Sequence, residues 1–239
     1  MEDDRPGTGT SGKLLMIERI LPDSVVVYET LTDPPDAVLL PEEEALVRGA
    51  VPKRRDEFRT GRHCARRALA ELGFAERPLL RGAKGDPLWP EAVAGSITHC
   101  DGYRAAAVAL AGDVVSLGID AEPNRPLPEG VLEAVALPEE QVRIKELLRG
   151  RPDVRWDRLL FSAKECIYKT WYPITRRPLG FEEATVDIDP VGGGFTARLA
   201  DRSVRGVPGA PREFTGRWTA GGGLVLAAIV RPAGHRTGA

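Results

Sequence analysis

The chain has little cysteine, no excess of either charge and no long apolar run. Its three cysteines, Cys64, Cys100 and Cys166, are an odd number and lie far apart, which argues against a disulfide framework and favours reduced thiols. The 33 basic and 35 acidic residues leave a net charge of −2, so no global field favours nucleic acid or an anionic membrane. No apolar run can span a bilayer, and the acidic residues 1–4 do not resemble a signal peptide. We therefore expect a cytoplasmic protein that binds neither nucleic acid nor membrane.

The rest of the composition is that of a globular protein. With 42% apolar residues, a chain of 239 residues can bury a full core as one large domain or two small ones. Alternating patterns predict helices at 41–49, 53–72, 138–148 and 156–172, the last ended by Pro173, and strands at 114–119, 180–188, 195–199, 214–218 and 224–230. We expect an α+β fold with halves 13–118 and 119–232 and flexible ends 1–12 and 233–239.

A faint internal repeat supports two similar halves. Residues 58–64, in a predicted helix, and 102–109, in a predicted strand, are echoed by 161–166 and 223–230. Two such α+β halves packed together would bring a basic helix and an acidic helix to one cleft, and clefts between packed units are common ligand sites.

Three carboxylates are candidate metal ligands. Asp120 and Glu122 follow a predicted buried strand, and residues two apart in an extended chain share a face, which suits a hard cation such as Mg²⁺. An exposed acidic turn before Pro123 is the alternative. Glu165 lies one helical turn from Lys169, a spacing that an ordinary ion pair explains equally well.

The helix predicted at 53–72 has a strongly basic face. Its cations recur at helical spacing at Arg55, Arg59, Arg62 and Arg66. Only Asp56, Glu57 and Glu71 offset seven cations in this segment, and adjacent like charges are unfavourable unless an anion lies among them. The face is therefore either solvated or, as we favour, directed at a polyphosphate.

His99 is a candidate anion contact, although a histidine before a turn is more often a structural group. The dipeptide His-Cys occurs at 63–64 and 99–100, but we expect no zinc site. Neighbouring residues do not share a face of a helix or strand, and no Cys-x-x-Cys is present.

Five segments together resemble one family. They are Arg-His-Cys-Ala-Arg at 62–66, Lys-Gly-Asp-Pro-Leu-Trp-Pro at 84–90, Gly-Ser-Ile-Thr-His-Cys at 95–100, Gly-Ile-Asp-Ala-Glu-Pro at 118–123 and Phe-Ser-Ala-Lys-Glu-Cys-Ile-Tyr-Lys-Thr-Trp at 161–171. In this order they resemble a phosphopantetheinyl transferase of the large, surfactin- and enterobactin-synthetase-activating type. The chain is similar to the actinobacterial members that prime polyketide, fatty-acid and peptide synthetases.

The resemblance implies a pseudo-twofold monomer of two α+β halves, with coenzyme A and magnesium at their junction. The implied reaction moves 4′-phosphopantetheine from coenzyme A to a serine hydroxyl of an apo acyl or peptidyl carrier protein and releases 3′,5′-ADP. From charge clusters alone, a magnesium-dependent nuclease or phosphohydrolase, or a non-catalytic coenzyme A or nucleotide-binding module, would also be open.

The same resemblance implies roles for single residues. The implied magnesium ligands are Asp120, Glu122, Glu165 and the carbonyl of Ala121. The implied coenzyme A contacts are Arg54, Arg62, Arg81, Lys84 and His99, the last at the 3′-phosphate, with Ser96 and Thr98 lining the same pocket and Lys164 and Lys169 flanking the diphosphate. Glu165, or a metal-bound water that it orients, would take the serine proton, and Lys169 would stabilise the leaving oxygen. Cys166 departs from the small or hydroxyl residue often found there and is expected to face away from the carboxylate.

The carrier protein is often acidic, so its docking surface should carry scattered cations. Candidates are Arg143 and Lys145, and the segment 173–178 with Arg176 and Arg177. An ordinary solvated face explains these residues equally well.

Overall fold

Two antiparallel sheets, each covered by one long helix, organise the chain in a computed structural model that describes residues 16–234. The helices are α1 (Pro41–Leu46), α2 (Pro52–Glu71), α3 (Val131–Val135), α4 (Pro138–Gly150), α5 (Trp156–Thr175) and α6 (Asp201–Val204). The strands are β1 (Val26–Thr30), β2 (Val93–Cys100), β3 (Tyr103–Leu110), β4 (Val114–Pro123), β5 (Ala184–Ile188), β6 (Gly194–Leu199), β7 (Glu213–Gly221) and β8 (Leu224–Pro232). Of the ends predicted to be flexible, 1–12 and 235–239 lie outside the described residues. None of the described helices combines the length and apolarity needed to cross a bilayer.

The first sheet has the order β1-β3-β2, with α2 packed on it. Its central strand is buried on both faces because successive side chains point to opposite sides. Ala106 and Val108 pack in the cluster under α2. Ala105 and Ala107 belong instead to a core shared with β4 and β8 of the second sheet. Because the side chains of β3 are small, α2 can pack closely on one face of this strand. The second sheet packs on the opposite face.

The second sheet has the order β4-β8-β7-β6-β5 and is covered by α5. The apolar stripe of α5, including Trp156, Leu160 and Ile167, packs in one cluster with Val225 and Ile229 of β8. Trp156 also meets Trp218 edge-on, with ring centroids 5.1 Å apart, a favourable geometry for aromatic rings. This packing fixes α5 on the sheet that carries the predicted acidic motif.

The predicted pseudo-twofold arrangement of two α+β halves is confirmed. The order β1-β3-β2 of the first sheet matches β4-β8-β7 of the second, and all of these pairs are antiparallel. The strand part of the repeat noted in the sequence corresponds to β3 and β8, which are equivalent central strands. The hairpin β5–β6 is an addition to the second half alone.

Two predicted element ends differ from the structure. The strand expected to stop at 119 continues to Pro123, so Asp120 and Glu122 lie inside β4, opposite Ala227 and Val225 of β8. The helix expected to end at Pro173 continues to Thr175. Proline removes one N–H but does not prevent the following turn from closing, and the amide of Arg176 still donates to the Tyr172 carbonyl at 2.8 Å.

Candidate active site

The two halves are joined by hydroxyl groups where β2 runs beside β4. The Ser96 hydroxyl accepts from the Ile119 amide at 3.1 Å, and the Thr98 hydroxyl accepts from the Ala121 amide at 3.0 Å. The Thr98 hydroxyl in turn lies 3.3 Å from Asp120 Oδ1. Side chains thus satisfy the β4 amides that have no strand partner on this side, and they hold Asp120 at the junction.

A glycine brings α5 close to the same strand. A Cβ added at Gly118 would lie 2.7 Å from the Thr170 hydroxyl oxygen and closer still to the Cys166 carbonyl. The Ser116 hydroxyl donates to the Thr170 carbonyl at 2.8 Å across this contact. Lys169 therefore reaches β4, and its ammonium group lies 2.7 Å from Asp120 Oδ1 and 3.0 Å from the Ile119 carbonyl.

A cavity of about 550 Å³ lies at the junction and is lined by both halves. Eight residues selected from the sequence line it: Arg54, Arg62, Arg81, Lys84, Ser96, His99, Glu165 and Lys169. Thr98, Lys164 and the segment 120–122 do not line it. Because its wall from the first half is rich in cations and its wall from the second half carries Glu165 and Lys169, the cavity suits a large, polyanionic ligand.

His99 is neutral in this arrangement. Arg54 Nη1 lies 2.6 Å from His99 Nε2, and His99 Nδ1 lies 3.5 Å from a Glu57 carboxylate oxygen. Burial, followed by the charge of Arg54, lowers the pKa of His99 to about 4. Since arginine can only donate, Nε2 must accept, and the ring proton lies on Nδ1 facing Glu57. Arg54 and His99 thus form a prepared donor and acceptor pair on the cavity wall.

Arg62 is buried and held by a backbone carbonyl and an aromatic ring. Its Nε donates to the Leu79 carbonyl at 2.8 Å, and its guanidinium carbon lies 4.3 Å from the Phe58 ring centroid. Arg81 approaches the same ring at 5.6 Å. Burial lowers the pKa of Arg62 to about 10, so the side chain stays charged at neutral pH. Two guanidinium groups on one aromatic ring give this wall a fixed positive field.

Most of the basic face of α2 does not line the cavity. The expectation that the whole face is directed at a polyphosphate was therefore wrong. Arg66 is buried against Glu43 at 2.6 Å, Arg55 pairs with Glu44 and Arg59 pairs with Asp56. The count of acids within the helix missed Glu43 and Glu44 because they come from α1. Of the helix cations selected from the sequence, Arg54 and Arg62 are the ones that line the cavity.

The carboxylates surround Asp120 without forming a ready-made metal cluster. Asp120 Oδ1 faces Lys169, and Glu122 pairs with Arg158 at 3.0 Å. Within residues 16–234, no group of three or more histidine, cysteine, aspartate or glutamate side chains is placed to hold a metal ion. The expected joint site of Asp120, Glu122 and Glu165 is thus not assembled by these side-chain positions.

The same carboxylates nonetheless fit a divalent cation next to Asp120. Among the described residues, Asp120 Oδ2 is buried and has no hydrogen-bond partner, which is an unfavourable state for a carboxylate oxygen. Burial and then Asp120 raise the pKa of Glu122 to about 7. Burial also raises the pKa of Glu165, with Lys169 acting in the opposite direction. A cation beside Oδ2 would give this oxygen a partner and would favour the charged forms of Glu122 and Glu165, lowering their raised pKa values.

Lys164 does not reach the cavity, contrary to the position that the family resemblance implies. Its ammonium group donates to the Val135 carbonyl at 2.9 Å, the Phe181 carbonyl at 2.9 Å and Glu140 at 2.7 Å. These three acceptors use all the hydrogens of the group. Neighbouring residues diverge by about 100° on a helix, so Glu165 lines the junction cavity and Lys164 does not. Lys164 instead lines a second, smaller cavity that also adjoins Glu165.

Sequence reasoning missed the aromatic residues of the site. Tyr168 and Tyr172 stack with ring centroids 5.9 Å apart and line the cavity. A second cavity of about 260 Å³ adjoins Glu165 and Tyr168 and is closed by Leu179 and Phe181. The positions 168 and 172 lie three and seven residues after Glu165, so helical spacing alone places them on its face. Cys166, as expected, points elsewhere, with Sγ 3.2 Å from the Ala227 carbonyl.

Comparison with known proteins identifies both halves. Residues 42–109 match the 4′-phosphopantetheinyl transferase N-terminal domain, and residues 116–208 match the 4′-phosphopantetheinyl transferase superfamily. The chain is 54% identical over 227 residues to the 4′-phosphopantetheinyl transferase Svp of Streptomyces mobaraensis, covering 92% of this chain and 91% of the relative.

Two further relatives agree. The 4′-phosphopantetheinyl transferase PptT of Mycobacterium tuberculosis is 44% identical, with 90% of this chain and 97% of the relative covered. The 4′-phosphopantetheinyl transferase Npt of Nocardia iowensis is 46% identical, with 90% and 99% covered. These relatives span both halves and the junction between them. The chain therefore belongs to the 4′-phosphopantetheinyl transferases and transfers the 4′-phosphopantetheine group of coenzyme A to carrier proteins.

Proposed function

We propose that coenzyme A binds in the junction cavity and that transfer to the carrier serine depends on a magnesium ion held beside Asp120. The observation that carries this proposal is the meeting of a cationic wall with Glu165, Lys169 and a buried, unpaired Asp120 oxygen. A ligand with several phosphates, bound together with a divalent cation, matches these features.

The first half would bind the phosphates and the adenosine. Arg54, Arg62, Arg81 and Lys84 are the cations of this wall, with Ser96 beside them. His99 meets the 3′-phosphate in this proposal, and a phosphate there would favour the charged imidazolium and raise the low pKa of the ring. Because Arg54 already contacts His99 at 2.6 Å, one phosphate group can be reached by both side chains.

The residues proposed to hold magnesium are Asp120, Glu122, Glu165 and the Ala121 carbonyl. When bound, the cation would offset the charge of the diphosphate as phosphorus is attacked. To serve as a ligand, Glu122 would give up its ion pair with Arg158, whereas Asp120 would use Oδ2, which has no hydrogen-bond partner among the described residues. In this structure both carboxylates are held by ion pairs, Glu122 with Arg158 and Asp120 Oδ1 with Lys169.

Glu165 is our candidate for the base. It takes the proton from the carrier serine while the serine oxygen forms a bond to the phosphorus that bears pantetheine, and the bond from that phosphorus to 3′,5′-ADP breaks. The raised pKa of Glu165 suits a proton acceptor better than an ordinary exposed carboxylate. Lys169 places its charge beside the leaving diphosphate oxygen. Burial acts to lower the pKa of Lys169, but the neighbouring acidic groups, Asp120 foremost and then Cys166 and Glu165, together raise it and keep the side chain charged.

The second cavity would hold the pantetheine arm. It meets the first cavity at Glu165 and Tyr168, which is where the reacting phosphorus must lie if the phosphates occupy the cationic wall. Leu179 and Phe181 supply an apolar lining for an uncharged chain.

Apo acyl and peptidyl carrier proteins are the proposed protein partners, docked at segment 173–178. Pro173 and Arg176 border the cavity, so a carrier bound there would bring its serine to the reacting phosphorus. The other candidates, Arg143 and Lys145, are less suited because they do not line this cavity. We further propose a cytoplasmic monomer, in keeping with the three buried cysteines, Cys64, Cys100 and Cys166, none of which forms a disulfide.

The test is the intact mass of an apo carrier protein incubated with this chain and coenzyme A, with and without magnesium. We expect a gain of one phosphopantetheine that disappears with a chelator and returns when magnesium is added. Loading at the full rate in the presence of the chelator would contradict the metal site.

A further inference from the structure

The tetrapeptide Leu-Pro-Glu-Glu occurs twice, at 40–43 and at 137–140, and in both halves it opens a short helix. The proline is the first helical residue of α1 and of α4, a favoured position because its missing N–H has no helical partner there. The second glutamate of each copy, Glu43 or Glu140, is almost completely buried. A buried carboxylate at equivalent places in two halves needs a structural explanation.

Each buried glutamate joins three segments of its half. Glu43 accepts from the Leu40 amide at 3.0 Å and the Leu79 amide at 2.9 Å, and it pairs with Arg66 of α2. In the second half, Glu140 accepts from the Leu137 amide at 2.7 Å and the Val186 amide at 2.7 Å. Its third partner is Lys164 of α5, also at 2.7 Å. The two sets correspond group by group.

Lys164 is the residue directly before Glu165 and lies five residues before Lys169. Its ammonium group is buried, and its three acceptors come from α3, α4 and the segment before β5. These contacts fix the rotation of α5 about its axis. Glu165 and Lys169 project from that same helix into the cavity, so their positions depend on the rotation that Lys164 sets.

We propose that Lys164 and Glu140 form a positioning pair that sets α5 for catalysis, and that the ammonium group of Lys164 does not hold the phosphates of coenzyme A. The proposal rests on the roles given above to Glu165 and Lys169. For Lys164 to reach a phosphate, it would have to leave three acceptors and strand the buried Glu140 charge, and an unpaired buried charge is strongly unfavourable. The counterpart pair of the first half supports this, because Arg66 is likewise absent from the cavity lining.

The test uses Lys164→Met, Glu140→Gln and the double variant. We measure the thermal midpoint, the dissociation constant for coenzyme A and kcat for carrier loading at a temperature where each variant is folded. Lys164→Met should lower the midpoint by about 10 °C and kcat by about tenfold, whereas the dissociation constant should change by less than about twofold. The double variant should recover stability and kcat relative to Lys164→Met, since it no longer strands a buried charge.

Arg66→Met is the matched control, because it breaks the equivalent buried pair in the other half. It should lower the thermal midpoint to a similar degree while retaining kcat at saturating coenzyme A. Loss of kcat in Lys164→Met beyond that of this control separates positioning from general destabilisation.

Three results would overturn the proposal. A dissociation constant raised about tenfold or more with an unchanged thermal midpoint would make Lys164 a phosphate ligand. A lowered midpoint with normal kcat would make the pair purely structural, and a double variant no better than Lys164→Met would show that the two residues do not act as a unit. Failure of the proposed function is distinguishable, because it would be seen as full activity of Glu165→Gln whatever the behaviour of Lys164.

Discussion

The contact between α5 and β4 at Gly118 gives the sharpest test of how the site is built. Replacing Gly118 with alanine places a methyl group 2.7 Å from the Thr170 hydroxyl oxygen, 3.1 Å from Lys169 Cβ and closer still to the Cys166 carbonyl. The Cys166 carbonyl is backbone, so the overlap cannot be relieved by a side-chain rotation. The helix must instead move away from the strand.

The magnitude follows from the contacts that this movement strains. Overpacking of a well-packed site costs about 1–3 kcal/mol, which for a chain of this size lowers the thermal midpoint by roughly 2–12 °C. The bonds from Ser116 to the Thr170 carbonyl and from Lys169 to Asp120, at 2.8 and 2.7 Å, span the same interface. Because displacement of catalytic groups by about 1 Å can cost about 100-fold in rate, we expect kcat to fall much more than stability.

The assay is carrier loading followed by intact mass, with thermal unfolding measured in parallel. Gly150→Ala is the control, since Gly150 is the last residue of α4 and a Cβ there meets no atom within 4 Å. That change should be neutral or slightly stabilising. If Gly118→Ala has the midpoint and kcat of the parent chain, the close approach of α5 is not what positions Lys169, and the reasoning fails.

Three further predictions concern the cavity. Asp120→Asn should abolish magnesium-dependent loading while the thermal midpoint stays within a few degrees, and normal loading by this variant would remove Asp120 from the metal site. In the protein free of coenzyme A, NMR titration should give His99 a pKa near 4, so the ring becomes charged only when the pH falls well below neutral. Arg54→Gln should raise that pKa, and a value near 6.5 in the free parent protein would contradict the lowering by burial and Arg54. Arg54→Gln should also raise KM for coenzyme A about tenfold, whereas Arg67→Gln, at an exposed cation outside the cavity lining, should leave KM unchanged.

Much of the fold could be predicted from local patterns because they are set by burial. The spacing of apolar residues in α2 and α5 gave both long helices to within a few residues of their ends. The end of α5 was wrong because proline affects only one hydrogen bond of the last turn. The continuation of β4 through Asp120 was missed because charged residues are usually taken as the end of a strand, whereas here Thr98 and Lys169 are partners of Asp120 and Arg158 is the partner of Glu122.

Charge was harder to interpret than apolarity, because the partner of a charged group is seldom its neighbour in sequence. The basic face of α2 looked uncompensated until α1 contributed Glu43 and Glu44. The family resemblance implied that Lys164 flanks the diphosphate, yet its ammonium group pairs with Glu140, 24 residues away in the chain.

The repeated Leu-Pro-Glu-Glu shows how such pairs could have been found. In both copies a glutamate at the third position of a helix that starts with proline caps its own helix and then has oxygen lone pairs left for one cation and one further amide. The same local signal at equivalent places in two halves therefore demands an equivalent cation in each long helix, and Arg66 and Lys164 are those cations. Since a cation used in this way is unavailable to substrate, the ligand contacts that we propose fall to cations that line the cavity: Arg54 and Arg62 on α2, and Lys169 on α5. The two halves share one scaffold, and the site differs between them because α2 presents cations to the cavity where α5 presents Glu165.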